Sequence, residues 1–88
     1  MKLKDRLIIR KIADEYIMIS DSGTSLDYTK AISLNESAVF LIEAVKDQEF
    51  DLEYWAELLV QRYEISKEQA LEDAQALIEA LDAAGILD

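Results

Sequence analysis

The sequence predicts an α+β domain in which an N-terminal three-stranded antiparallel sheet is followed by three helices. Two observations predict this fold class: apolar residues alternate with polar ones up to residue 34, and they recur at helical spacing from residue 36 onward. Side chains alternate with period two on a strand and repeat every 3.6 residues on a helix. The change of period therefore marks the boundary between the sheet and the helices.

The length and composition are those of one domain. The chain has 88 residues, of which 51% are hydrophobic, and this is sufficient for a modest single core. We expect residues 1–88 to form a single domain, with strands at about 6–12, 15–20 and 27–34 and helices at about 36–46, 52–64 and 67–84.

Three apolar runs predict the strands. Residues 7–12 and 16–20 are rich in β-branched side chains and are separated by a short polar break, which favours a hairpin. Residues 21–25 contain the Gly, Ser and Asp of a turn. The apolar residues of the third run alternate onto one face: Leu26, Tyr28, Ile32 and Leu34. We therefore expect a third strand with one buried face.

Polar residues predict where the helices begin and end. Asn35 and Asp51 precede the first and second helices, where their side chains can accept a hydrogen bond from an unpaired backbone N–H. Ser66 and Gln69 match a capping box at the start of the third helix. Gly85 supplies the left-handed position that ends it.

The third helix carries two stripes of residues. The core stripe has helical spacing and consists of Ala70, Leu71, Ala74, Leu77, Ile78 and Leu81. Beside it lies a stripe of short side chains: Asp73, Ala76, Ala80 and Ala83. Short side chains let another backbone approach closely, although alanine is also simply the best helix former. The helix alone does not decide between these two explanations.

The composition excludes most catalytic chemistry. The chain has no cysteine and no histidine, which removes disulfides, thiol nucleophiles, imidazole bases and nearly all zinc sites. The carboxylate pairs lie on predicted solvated helix faces or in an open link, where charge runs are usually only solvated. We therefore expect no enzymatic activity, no catalytic or metal-binding residue and no cofactor.

The formal charge of −10 is unevenly distributed. Seven basic and seven acidic residues cancel up to Lys46, whereas only Arg62 and Lys67 oppose twelve acidic residues from Asp47 onward. Such a surface repels phosphate backbones. It favours a neutral or cationic partner, or it serves only to keep the helical half soluble.

Other classes fit the sequence poorly. No apolar run is long enough to span a bilayer, and residues 1–10 carry charges where a signal peptide needs an apolar core. We therefore expect a cytoplasmic protein that does not bind membranes. Ser25 follows Gly23-Thr24, which is reminiscent of the phosphopantetheine serine of acyl carrier proteins, but it precedes a strand rather than opening a helix.

A three-stranded sheet with three helices is also compatible with a winged helix-turn-helix fold. A DNA-binding protein of this type needs basic residues on the helix that enters the groove. Lys67 is the one basic residue of the third helix, which has five acidic residues. The charges therefore argue against nucleic-acid binding and leave the winged-helix-like fold as the expectation.

Three segments of the chain form one recognisable pattern. They are Ile32-Ser33-Leu34-Asn35-Glu36-Ser37-Ala38, then Arg62-Tyr63 ahead of Ser66, and then Glu72-Asp73 followed by Leu77, Leu81 and Gly85-Ile86-Leu87. Together they resemble the PqqD-like family, and the resemblance spans nearly the whole chain. It implies a RiPP recognition element, which is a noncatalytic domain that binds the leader segment of a ribosomally synthesised precursor peptide and presents it to a modifying enzyme, such as a radical SAM protein, a cyclase or a leader peptidase.

The resemblance also implies a binding site. Members of the family bind the leader as an added strand against the third strand, and the third helix forms the other wall of the groove. The implied peptide-binding residues are Asp27, Tyr28, Thr29, Lys30, Ala31, Ile32, Ser33, Asp73, Ala76, Leu77 and Ala80. The alternative is a winged-helix-like protein interaction domain without a precursor peptide.

The role of Lys30 and the oligomeric state each have two interpretations. Lys30 is suited to attract an acidic leader residue, and equally to discourage pairing between the edges of two sheets. Exposed edges can pair with themselves, so we expect a monomer or a weak dimer.

Overall fold

The computed structural model has the predicted α+β architecture. It describes residues 1–3, 7–21, 26–46 and 48–87, with the backbone alone at residues 20, 21 and 26–30. The elements are β1 (Leu7–Ile12), β2 (Glu15–Asp21), β3 (Leu26–Leu34), α1 (Glu36–Ala44), α2 (Leu52–Tyr63) and α3 (Lys67–Ala83). The predicted fold class is confirmed. Residues 22–25 of the predicted turn, Ser25 among them, lie outside the described residues.

The three strands form an antiparallel sheet in the order β1-β2-β3. Ile9 pairs with Met18, and Met18 pairs with Ile32. The hairpin between β1 and β2 turns at Ala13, whose φ of 57° is left-handed without being a glycine. Since β2 is the central strand, β3 lies at one edge of the sheet.

The pairing of β2 with β3 shifts in register near the middle of β3. Met18 pairs with Ile32 and Ser20 pairs with Asp27, so two steps along β2 correspond to five steps along β3. The end of the strand has the predicted buried face, since Leu34 is buried and Ile32 is half-buried. The side chains of Leu26 and Tyr28, the other two residues of that face, lie outside the described residues.

All three helices begin at the predicted caps. The side chains of Asn35, Asp51 and Ser66 each accept a hydrogen bond from the backbone N–H three residues further on, at 2.8, 2.8 and 3.1 Å. The capping box at Ser66 is only half formed, because within the described part of the chain the Ser66 backbone N–H makes no hydrogen bond with the side-chain oxygen of Gln69. The Gln69 side chain lies toward Asp73, and its amide donates to a carboxylate oxygen of that residue at 2.9 Å. Gly85, with a φ of 72°, follows the end of α3 as predicted.

The core lies between the sheet and the helices. It contains Met18 and Leu34 from the sheet, residues on the inner faces of all three helices, and Ile86 after α3. Trp55 is fully buried and stacks on Phe50, with ring centroids 4.4 Å apart. Leu3 forms a bridge with Leu87, which ties the described N-terminal residues to the end of the chain.

Candidate functional site

The site is built on the free edge of β3. Within the described part of the sheet, β3 pairs with β2 on one side, and no strand pairs with its other side. A free edge presents a row of backbone N–H and C=O groups that can pair with an extended peptide. The edge ends at Leu34, directly before α1 begins.

The small-residue stripe of α3 is exposed to solvent. Asp73, Ala76, Ala80 and Ala83 are all exposed, whereas Ala70, Ala74 and Leu81 on the core stripe are 0% exposed. A separation of three or four residues keeps the stripe on one side of the helix. The stripe therefore forms a continuous surface of short side chains beside the core.

The first of two clefts lies between the end of β3 and the middle of α3. This upper cleft has a volume of about 320 Å³ and is lined by Ser33, Leu34, Asn35, Ser37, Ala38, Leu41, Leu59, Asp73, Ala76 and Leu77. Leu41 and Leu59 are each only 2% exposed, whereas Ser33, Asn35 and Asp73 are exposed. The cleft thus has an apolar floor and a polar rim.

The second cleft lies further toward the C-terminus of α3. This lower cleft has a volume of about 470 Å³ and is lined by Ala31, Ile32, Ala80, Asp82, Ala83, Ala84 and Gly85. Asp82 lines this cleft together with the alanines, so its α3 side also carries one exposed carboxylate.

Seven of the predicted peptide-binding residues line these clefts. Ser33, Asp73, Ala76 and Leu77 line the upper cleft, and Ala31, Ile32 and Ala80 line the lower cleft. The other four, Asp27, Tyr28, Thr29 and Lys30, belong to β3, but their side chains are outside the described residues. The structure thus brings together the end of β3 and the stripe of α3.

Part of the upper cleft comes from residues at the start of α1 and on α2, which are not among the predicted peptide-binding residues. Asn35 caps α1, and Leu41 and Leu59 are core residues. They line the cleft as well because the start of α1 faces α3 across the end of β3. No local pattern in the sequence reveals that a cap or core residue also lines a cleft.

Asp73 is the carboxylate on the rim of the upper cleft. Its Oδ1 atom accepts a hydrogen bond from the Gln69 amide at 2.9 Å. Among the described side chains, no basic group lies within 4.0 Å of it, and Lys67 pairs with Glu53 of α2 at 3.3 Å. The described neighbours of Asp73 therefore leave its charge without a cation.

The upper cleft has an apolar floor and the carboxylate of Asp73 on its rim, and the lower cleft is lined by alanines, Ile32 and the carboxylate of Asp82. In the described part of the chain, no group of three or more acidic residues is placed to hold a metal ion. None of the described helices has the length and apolarity required to cross a bilayer.

Comparisons with known proteins agree with this architecture. The chain is similar in structure to TbiB1, solved in complex with the TbiA(beta) leader peptide, with a TM-score of 0.71 and 15% sequence identity over 100% of this chain and 95% of that chain. The comparison with curated proteins gave no match. Residues 14–87 match the family described as coenzyme PQQ synthesis protein D (PqqD). The chain therefore belongs to the PqqD family.

Proposed function

We propose that this protein binds the leader segment of a ribosomally synthesised precursor peptide and presents it to a modifying enzyme. The leader is added to the sheet as a fourth strand along the free edge of β3, with the small-residue stripe of α3 as the opposite wall. The observation that carries the proposal is that the β3 edge and this stripe line the same two clefts.

The physics of such a site favours an unfolded peptide as its ligand. A disordered segment loses conformational entropy on docking, and the backbone hydrogen bonds along a sheet edge offset that loss. Side chains on an added strand alternate, so every second leader residue faces the clefts. The edge thus supplies affinity that is independent of sequence, and the clefts supply selectivity.

The short side chains of α3 are what make room for this peptide. Alanine at positions 76, 80 and 83 lets an extended backbone lie close to the helix. A bulky residue at any of these positions would occupy the volume of a cleft without entering the core. This accounts for why α3 carries an exposed row of alanines beside the buried ones.

The family and the fold support this proposal. The chain belongs to the PqqD family, and TbiB1, which has a similar fold, was solved with a leader peptide bound. We propose further that the protein is noncatalytic, that it acts in the cytoplasm as a monomer or weak dimer, and that it needs no cofactor. Its partner is a RiPP-modifying enzyme, such as a radical SAM protein, a cyclase or a leader peptidase.

Backbone methylation of the peptide tests the mode of binding. Leader peptides of precursors encoded beside this gene are titrated calorimetrically, and a leader that binds is then resynthesised with single N-methyl groups. On an edge strand, alternate N–H groups point toward the sheet. Methylation at alternate positions should therefore abolish binding, and methylation at the positions between them should have little effect.

Two other results would contradict the proposal, one against the mode of binding and one against leader binding itself. Equal effects of methylation at all positions would exclude strand addition. If no neighbouring precursor peptide binds, the leader-binding function itself is wrong, and an interaction domain without a precursor peptide takes its place.

A further inference from the structure

The upper cleft joins an apolar floor to a single acidic group. Leu41 and Leu59 form the buried floor, Leu77 is half-buried beside them, and Asp73 stands on the rim. Lysine and arginine side chains have the matching composition, because their aliphatic stems pack on apolar surface while the charged end stays at the rim. An uncharged apolar side chain would fill the floor and leave Asp73 without a partner.

The lower cleft has a different character. Its α3 side consists mostly of short apolar side chains, with Asp82 as the acidic residue, and its β3 side consists of Ala31 and Ile32. Ile32 and Leu34 lie two residues apart on β3, so the two clefts are about 7 Å apart along an added strand. A peptide residue in one cleft and the residue two positions away in the other therefore share a face of the strand.

We propose that Asp73 determines leader specificity by selecting an arginine or lysine in the upper cleft, with a bulky apolar residue two positions away in the lower cleft. This inference rests on the proposed leader-binding function. The net charge of −10 assists it, because a cationic segment is attracted to the acidic helical half of the chain. Asp73 is the point at which this general attraction becomes a specific contact.

The hydrogen bonding of Asp73 is compatible with this assignment. Asp73 lines the upper cleft, and its Oδ1 atom accepts one hydrogen bond from the Gln69 amide. Its second oxygen remains available to accept a hydrogen bond from a guanidinium or ammonium group. Charge-assisted hydrogen bonds of this kind are about twice as strong as those between neutral groups.

The adjacent residue provides a matched control. Glu72 is an exposed carboxylate on the same helix, but it lies about 100° further around the axis and does not line either cleft. Asp73→Asn and Glu72→Gln each remove one negative charge from α3. Their difference isolates the contact in the cleft from the overall charge of the helix.

The test measures affinities of both variants for a leader peptide that binds the unmodified protein. Asp73→Asn should weaken binding roughly five- to tenfold, and Glu72→Gln less than about twofold. Replacing each Arg or Lys of the leader by Gln in turn should reveal one position whose loss weakens binding to the unmodified protein and not to Asp73→Asn. Asp73→Arg should bind the leader in which that basic residue is replaced by Glu.

The outcomes separate this inference from the function on which it rests. A leader that binds without any basic position coupled to Asp73, or equal losses in Asp73→Asn and Glu72→Gln, overturns the inference while leader binding stands. A chain that binds no leader overturns both. Thermal unfolding of the two variants verifies that neither change acts through stability.

Discussion

Helix α3 contains two sets of alanines with opposite environments. Ala70 and Ala74 are 0% exposed in the core, whereas Ala76, Ala80 and Ala83 are exposed along the groove. Composition does not separate the two sets, since the residues are identical. Their positions relative to Leu81, on the 3.6-residue period, determine which set packs against α2 and the sheet and which set borders the clefts.

The two faces of α3 therefore have separable roles. The buried face determines stability, and the exposed face determines the shape of the clefts. Substitutions on the first should change the free energy of unfolding, and substitutions on the second should change peptide affinity.

The largest expected effect is on stability, at Leu81. Leu81→Ala removes a fully buried side chain, and we expect it to lower the free energy of unfolding by about 2 to 5 kcal/mol. Leu77 is half-buried and lines the upper cleft, so Leu77→Ala should cost clearly less stability and weaken peptide binding as well. Urea unfolding followed by the fluorescence of the buried Trp55 measures the stability of both variants. Equal losses would place Leu77 in the core with Leu81.

The next largest effect is expected when the same substitution, alanine to leucine, is made on the buried and on the exposed face of α3. Ala74→Leu inserts extra methyl groups into a packed core and should cost about 1 to 3 kcal/mol of stability. Ala76→Leu is exposed, should change stability by less than about 0.5 kcal/mol, and should weaken leader binding because it fills the upper cleft. Ala80→Leu should behave like Ala76→Leu in the lower cleft. Unchanged affinity in both exposed variants would remove α3 from the site.

Substitutions of the helix caps should have a smaller effect on stability, and they again separate stability from leader affinity. Asn35→Ala and Ser66→Ala each remove a capping hydrogen bond and should cost about 1 kcal/mol of stability. Only Asn35 lines the upper cleft. Leader affinity, measured well below the unfolding temperature, should therefore fall for Asn35→Ala and not for Ser66→Ala. A loss of affinity in both would mean that capping acts on the groove through the helices as a whole.

The smallest expected effect concerns the ion pair between Lys67 and Glu53. Both side chains are more than 60% exposed, and exposed pairs contribute about 0.2 to 1 kcal/mol. Lys67→Gln should therefore lower stability by that amount or less at low salt, and by less still at 0.5 M salt. Leader affinity should not decrease, since Lys67 lines neither cleft. A stability loss above about 2 kcal/mol would show that this pair contributes to the packing of α2 on α3.

Much of the fold could be predicted because its signals are local. The caps at Asn35, Asp51 and Ser66, and Gly85 after α3, each depend on a few neighbouring residues. The two stripes of α3 were predicted by the helical period alone. The half-formed capping box was not predicted, because the sequence does not show that the Gln69 side chain lies against Asp73, one turn further on, where its amide donates to a carboxylate oxygen.

The sheet was harder to predict because pairing is not local. Residues 16–19 are all apolar, and both Met18 and Ile19 are buried, so alternation does not show which face is inside. The register shift in β3 depends on how its length matches β2, which no period along one strand reveals. For the same reason, the contributions of α1 and α2 to the upper cleft became apparent only from the packed helices.

An amide NMR titration of the ¹⁵N-labelled protein with leader peptides of neighbouring precursors tests whether a leader binds between the edge of β3 and the exposed face of α3. Shifts should concentrate at residues 31–35 and along 73–85, and residues 31–34 should exchange their amide hydrogens more slowly in the complex. Shifts confined to β1, or no shifts with any of these peptides, would show that no leader binds in this groove.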